Sequence, residues 1–154
     1  MGSAQVQGQL WGVQARNWAD LMEKMQLPIY QVVFDKTNVG RGTRLLDVGC
    51  GTGMAAQLAA KLGAGVTGID ASEAELVIAR ERVPTGDFRC GEMEELPYAN
   101  ASFDVVTGFS SFQFAQDPLN ALRQARGWSS QVGMSLWWHG AGWRTANSPR
   151  HSKR

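Results

Sequence analysis

The residues best placed to do chemistry lie in one run, Leu45-Leu46-Asp47-Val48-Gly49-Cys50-Gly51-Thr52-Gly53. A short apolar stretch reads as a buried strand, with an acid, Asp47, near its carboxyl end. Three glycines then alternate with small residues before an Ala/Leu-rich helical run opens at Met54. Glycine at alternate positions lets the chain turn sharply and lets a ligand approach the backbone without meeting a Cβ. The free N–H groups of the following helix point at the same spot. Such a strand, turn and helix suit a nucleotide-like small molecule.

The order of the glycines bears on which one. A dinucleotide site uses G-x-G-x-x-G/A, whose third small residue lets helix pack on strand. Here the order is Gly49-x-Gly51-x-Gly53, and Met54 stands where that pattern needs its small residue. Asp47, two residues ahead of the first glycine, is a poor neighbour for a pyrophosphate. It suits a ligand that carries an ammonium group and no phosphate, as S-adenosylmethionine does. A nicotinamide-dependent reductase with a degenerate fingerprint remains as an alternative, with Met54 and Asp47 against it.

This run resembles the first motif of the class I S-adenosylmethionine-dependent methyltransferases, type 11, the group related to ubiquinone and menaquinone biosynthesis enzymes. Three further segments match in order. Val66-Thr67-Gly68-Ile69-Asp70-Ala71-Ser72 resembles the second strand, and Phe88-Arg89-Cys90-Gly91-Glu92-Met93-Glu94-Glu95-Leu96-Pro97 the segment after the third. Ser102-Phe103-Asp104-Val105-Val106-Thr107-Gly108 resembles the fourth. The resemblance implies a Rossmann-like α/β sandwich with a mostly parallel sheet, S-adenosylmethionine as cofactor and S-adenosylhomocysteine as product. It implies Asp47, Gly49, Cys50, Gly51 and Gly53 around the methionine end, Asp70 and Ala71 at the ribose, Glu92 and Met93 at the adenine, and Phe109 in the pocket wall. Glu92 stands where the family usually has aspartate. No catalytic residue follows, because in this group the acceptor site is built largely by the carboxyl-terminal half.

Local patterns supply the elements that would position these residues. Asp70 follows Asp47 by 23 residues, close to the separation at which an acid on the next strand reaches ribose hydroxyls. Residues 54–62 are helical in pattern, with Leu58 and Leu62 one turn apart and Gly63 as a stop. Ser72-x-x-Glu75 is a capping box opening a helix through Arg82, with Pro84 beyond it. Asp117-Pro118 pairs an N-cap with proline at the first helical position, opening a helix to about Arg126. Residues 131–138 alternate enough to be a fifth strand. Trp11 and Trp18, seven apart, predict the packing face of an amino-terminal helix.

At 154 residues the chain is long enough for one domain with a real core. It contains no apolar run of membrane length, and its polar start does not read as a signal peptide. Cys50 and Cys90 show no metal spacing, so the expectation is a cytoplasmic protein without a metal. Residues 1–117 hold all fourteen acids, whereas 118–154 hold six Lys/Arg and no acid. The expected division is a core over 1–138, comprising amino-terminal helices over 1–42 and the Rossmann-like part over 43–138, followed by an irregular basic tail over 139–154. That tail, rich in Trp, Arg and Gly, reads as an out-of-frame or alternatively spliced end, and it departs from the family after Ala125. A core cut short there leaves a sheet edge unpaired and open to self-association. The expected partner is a small-molecule methyl acceptor, with no specific nucleic acid, because a basic tail without interleaved structure is usually just solvated. A non-catalytic form that binds cofactor or a partner is the second alternative.

Overall fold

The computed structural model describes residues 4–13, 15–17, 23–96, 98–129 and 131–135. Five strands, β1 (Arg44–Val48), β2 (Gly65–Asp70), β3 (Asp87–Cys90), β4 (Val105–Phe109) and β5 (Gln131–Ser135), form one sheet in the order β3-β2-β1-β4-β5. All four pairings are parallel. Among the helices are α1 (Ala4–Gly12), α2 (Ala15–Asn17), α3 (Leu27–Thr37), α4 (Met54–Lys61), α5 (Glu73–Arg82) and α6 (Pro118–Trp128).

The near-continuous apolar run of β1 follows from its place at the sheet's centre, covered on both faces. Successive side chains point to opposite faces. Leu45, Val66, Val105 and Phe109 pack with residues of α3, α4 and α5 on one face. Leu46, Val48, Ile69 and Val106 pack with Ala121, Ala125 and Trp128 of α6 on the other. Buried alanines 55, 56 and 59 give α4 a smooth surface for the sheet. At the amino ends of the strands, the Arg44 guanidinium and backbone N–H both donate to the Asp104 carboxylate, fixing β1 beside the entry to β4.

The Ser72 side chain accepts from the Glu75 N–H at 3.3 Å, so that half of the capping box is made. The Ser72 N–H donates instead to Asp70 Oδ1 at 2.9 Å, and Glu75 turns inward, only 4% exposed. Asp117 caps α6 through the Asn120 N–H, as its sequence predicts. That helix runs two residues past Arg126, because Trp128 is 2% exposed and packs edge-on to Tyr98. Phe88, Arg89 and Cys90, expected after the third strand, are part of it. The α1 helix ends at Gly12, so it cannot carry both tryptophans; Trp18 lies outside the described residues. So do the last three positions of the expected fifth strand and the whole of 139–154. No helix among the described residues is long and apolar enough to cross a membrane.

Candidate active site

A cavity of about 580 Å³ opens where β1, β2, β3 and β4 end at their carboxyl side, the usual ligand position in an open parallel sheet. Asp47, Gly49, Cys50, Gly51, Asp70, Ala71, Glu92, Met93 and Phe109 all line it. Gly53 does not. It precedes α4 with its Cα against Ala79 of α5, where a Cβ would come within 2.8 Å of the Ala79 methyl.

The other two glycines differ in what surrounds them. Gly49 has φ +69°, and a Cβ there would overlap the Ser111 side chain, whose Oγ donates to the Val48 carbonyl at 2.6 Å. Gly51 has φ +53°, yet a Cβ would meet no protein atom nearer than Glu75 Oε1 at 3.8 Å. The space above Gly51 therefore belongs to the cavity.

Two carboxylates are fixed, one by a strand pair and one by loop backbone. Asp47, 2% exposed, accepts from Thr107 Oγ1 at 2.8 Å, across the β1–β4 pair that holds these residues in register. Burial raises its pKa to about 7; the Thr107 hydroxyl opposes that shift and the neighbouring Asp70 adds to it. Asp70 accepts from the Gly51 N–H at 2.8 Å and the Ser72 N–H at 2.9 Å. Burial still pushes its pKa above the ordinary carboxylate range, against the pull of these backbone donors. Burial, together with the charges of Asp70, Asp47 and Glu75, keeps Cys50 a thiol.

The remaining wall comes from the amino-terminal helices. Ala4, Gln7 and Trp11 of α1 border the cavity, as do Gln26 and Tyr30. The Ala4 N–H donates to Glu92 Oε2 at 2.8 Å, so a residue expected at an adenine ring also caps α1. A Cβ at Gly8 would overlap the Ala71 carbonyl, which shows how closely α1 lies on the β2–α5 loop. Trp11 meets Phe114 edge-on at 5.7 Å and Tyr30 meets Phe109 at 4.5 Å. Among the described residues, the lining holds four carboxylates, Asp47, Asp70, Glu75 and Glu92, and no lysine, arginine or histidine. No group of His, Cys, Asp and Glu among the described residues could hold a metal ion.

Residues 46–135 match the family model described as a methyltransferase domain, type 11. The chain belongs to this methyltransferase family. It is 35% identical over 119 residues to a ubiquinone biosynthesis O-methyltransferase of Hahella chejuensis, covering 70% of this chain and 50% of that protein. It is 33% identical over 129 residues to the 27-O-demethylrifamycin SV methyltransferase of Amycolatopsis mediterranei, covering 76% of this chain and 47% of that one. The chain thus spans about half the length of these curated relatives, and 35% of a Ruegeria pomeroyi ubiquinone biosynthesis O-methyltransferase. Among solved structures, a SAM-dependent methyltransferase from Aquifex aeolicus superposes with TM-score 0.69 at 18% identity, over 85% of this chain and 77% of that one. The (4+2)-cyclase SpnF superposes with TM-score 0.73 at 24% identity, over 87% and 60%. These likenesses establish the Rossmann-like α/β fold.

Several residues in or just behind the wall of this methyltransferase domain carry no clear signal in the sequence. Glu75 looks like a solvent-facing half of a capping box, yet it lines the cavity. Thr107 and Ser111 act through Asp47 and the Val48 carbonyl, 60 and 63 residues away. Ser110 and Gln113 also border the cavity. Small polar residues at the carboxyl end of a parallel strand are the one pattern that could point to Ser110 and Ser111.

Proposed function

We propose that this domain binds S-adenosylmethionine in the cavity and transfers its methyl group to a small-molecule acceptor. The observation that carries the reading is the charge of the wall, four carboxylates and no cation among the described residues. Such a wall repels a pyrophosphate and favours a ligand with ammonium and sulfonium charges. The cavity lies within the usual range for small-ligand sites, about 300–1,000 Å³, and the open face of Gly51 offers the backbone to close contact.

In this reading Asp47 and the Gly49–Gly51 turn hold the amino-acid end, Asp70 and Ala71 the ribose, and Glu92 with Met93 the adenine. Gly53 shapes the turn by packing on Ala79. When bound, the cofactor would supply a methyl already activated on a sulfonium, its transfer leaving a neutral thioether and releasing the proton of an O–H acceptor to solvent. The protein's residues then align, bind and exclude water. The names of the O-methyltransferase relatives support oxygen as the receiving atom. A second reading is cofactor binding without turnover.

Titration calorimetry with S-adenosylhomocysteine and with NADH tests the first reading. Binding of the former and not the latter is expected; the reverse would return the chain to the reductases. Methyl transfer from labelled S-adenosylmethionine separates the enzyme from the binding protein.

A further inference from the structure

Three buried side-chain polar atoms among the described residues have no hydrogen-bond partner: Tyr98 Oη, Ser110 Oγ and Gln113 Oε1. Buried polar groups are nearly always paired, so each orphan calls for a physical reason. Two of the three belong to residues that border the same cavity, three positions apart in the segment that leaves β4. Ser110 is also one of the non-glycine residues held at positive φ, +54°. Strain of that kind persists where the surrounding structure over-determines a conformation, often at a ligand site. Neither residue is assigned to the cofactor in the reading above.

We propose that Ser110 and Gln113 form the hydrogen-bonding subsite for the methyl acceptor, and that it selects an uncharged, flat acceptor bearing an O–H or N–H donor. This rests on the cavity being the methyl-donor site. A carbonyl oxygen such as Gln113 Oε1 can only accept, so its missing partner is a donor. A hydroxyl such as Ser110 Oγ can accept from that donor or give to its lone pair. Trp11, Tyr30, Phe109 and Phe114 border the same cavity, and such rings favour a flat apolar body between the polar ends. The carboxylate-rich wall, with no cation among the described residues, disfavours an anionic acceptor, because those residues do not offset the loss of the anion's hydration.

Phenol, anisole and benzoate test this, since they share a ring and differ in donor and charge. Each is titrated by ligand-observed NMR into the full chain, alone and saturated with S-adenosylhomocysteine. Phenol should bind about fivefold or more tighter than anisole or benzoate, the discrimination expected of one hydrogen bond to an otherwise unpaired partner. Gln113→Met keeps the side chain's length and removes the acceptor, so it should erase the preference for phenol over anisole. Ser110→Ala should reduce it. Both variants should keep S-adenosylhomocysteine affinity within about twofold, which also reports that they fold. Equal binding of phenol and anisole, a preference for benzoate, no phenol binding, or an unchanged preference in Gln113→Met would each overturn the proposal. If a variant misfolds, the three-probe comparison on the wild-type chain decides alone. Failure of S-adenosylhomocysteine to bind the wild-type chain would instead sink the donor-site reading, whatever phenol does.

Discussion

Gly51 and Gly53 sit two positions apart in the same turn, yet only Gly51 has its missing Cβ directed at open space. Gly51→Val would place a branched side chain in that space and add backbone strain of about 1–2 kcal/mol at φ +53°. It should abolish S-adenosylhomocysteine binding while far-UV circular dichroism keeps its helical signal; surviving affinity would make the turn merely structural. Asp70→Ala should weaken binding at least tenfold by calorimetry, because charge-assisted hydrogen bonds are worth about 1.5–3 kcal/mol each. Asp70→Asn should lose less, although its NH₂ must then face the N–H of either Gly51 or Ser72, both of which now donate to the carboxylate. Asp47 adds a pH dependence. With its pKa raised to about 7, the folded chain retains a proton that the unfolded chain releases near pH 4. Stability is therefore full in acid and declines as pH rises through about 7, and the raised pKa of Asp70 acts in the same direction. The melting temperature of the ligand-free chain should fall between about pH 4 and 7 and level off above that, and Asp47→Asn should flatten the fall. Affinity for a ligand with an ammonium group should run the other way, rising as Asp47 ionises.

At the scale of elements, the two helices facing each other across Gly53 offer a control. Gly53→Leu would force α4 away from Ala79 of α5 without touching the cavity. It should lower the melting temperature while the protein that stays folded keeps its affinity; selective loss of affinity would bring Gly53 into the site. Ser72→Ala should cost about 1 kcal/mol by urea denaturation, as loss of a helix cap does. These elements are legible in sequence because their causes are local. Ser72 and Asp117 each cap the N–H three residues on, and Pro118 behind the Asp117 cap sits at the first helical position, where its missing N–H costs nothing. The strand, glycine turn and second acid were readable for the same reason, since each signal fits within a few residues. What the sequence hides is long-range. Nothing near Glu92 says that the Ala4 N–H, 88 residues away, will reach it. Nothing near Gly49 says that Ser111 will occupy the space its Cβ would take. The inward turn of Glu75 is hidden for a subtler reason, because Asp70 captures the N–H that a complete capping box would use.

For the molecule as a whole, β3 and β5 are the outer strands among the described residues. The β3 strand bears an exposed Arg89–Asp87 ion pair at 2.6 Å, the kind of charge that blunts an edge. The five residues of β5, Gln131–Ser135, bear no charge. Self-association is therefore expected through β5, seen as species larger than a monomer on size exclusion at neutral pH. Gln131→Lys should shift the profile toward monomer; a monomeric wild-type chain would remove the idea. A last consequence concerns time. The α1 helix forms one side of the cavity, is tied to Glu92 through the Ala4 N–H, and lies against the Ala71 carbonyl at Gly8. Ligand entry beside it is expected to follow an outward swing of that helix. In a stopped-flow experiment the observed association rate should then climb with ligand concentration and level off at the opening rate, and Glu92→Leu, which cuts the tie, should raise that plateau.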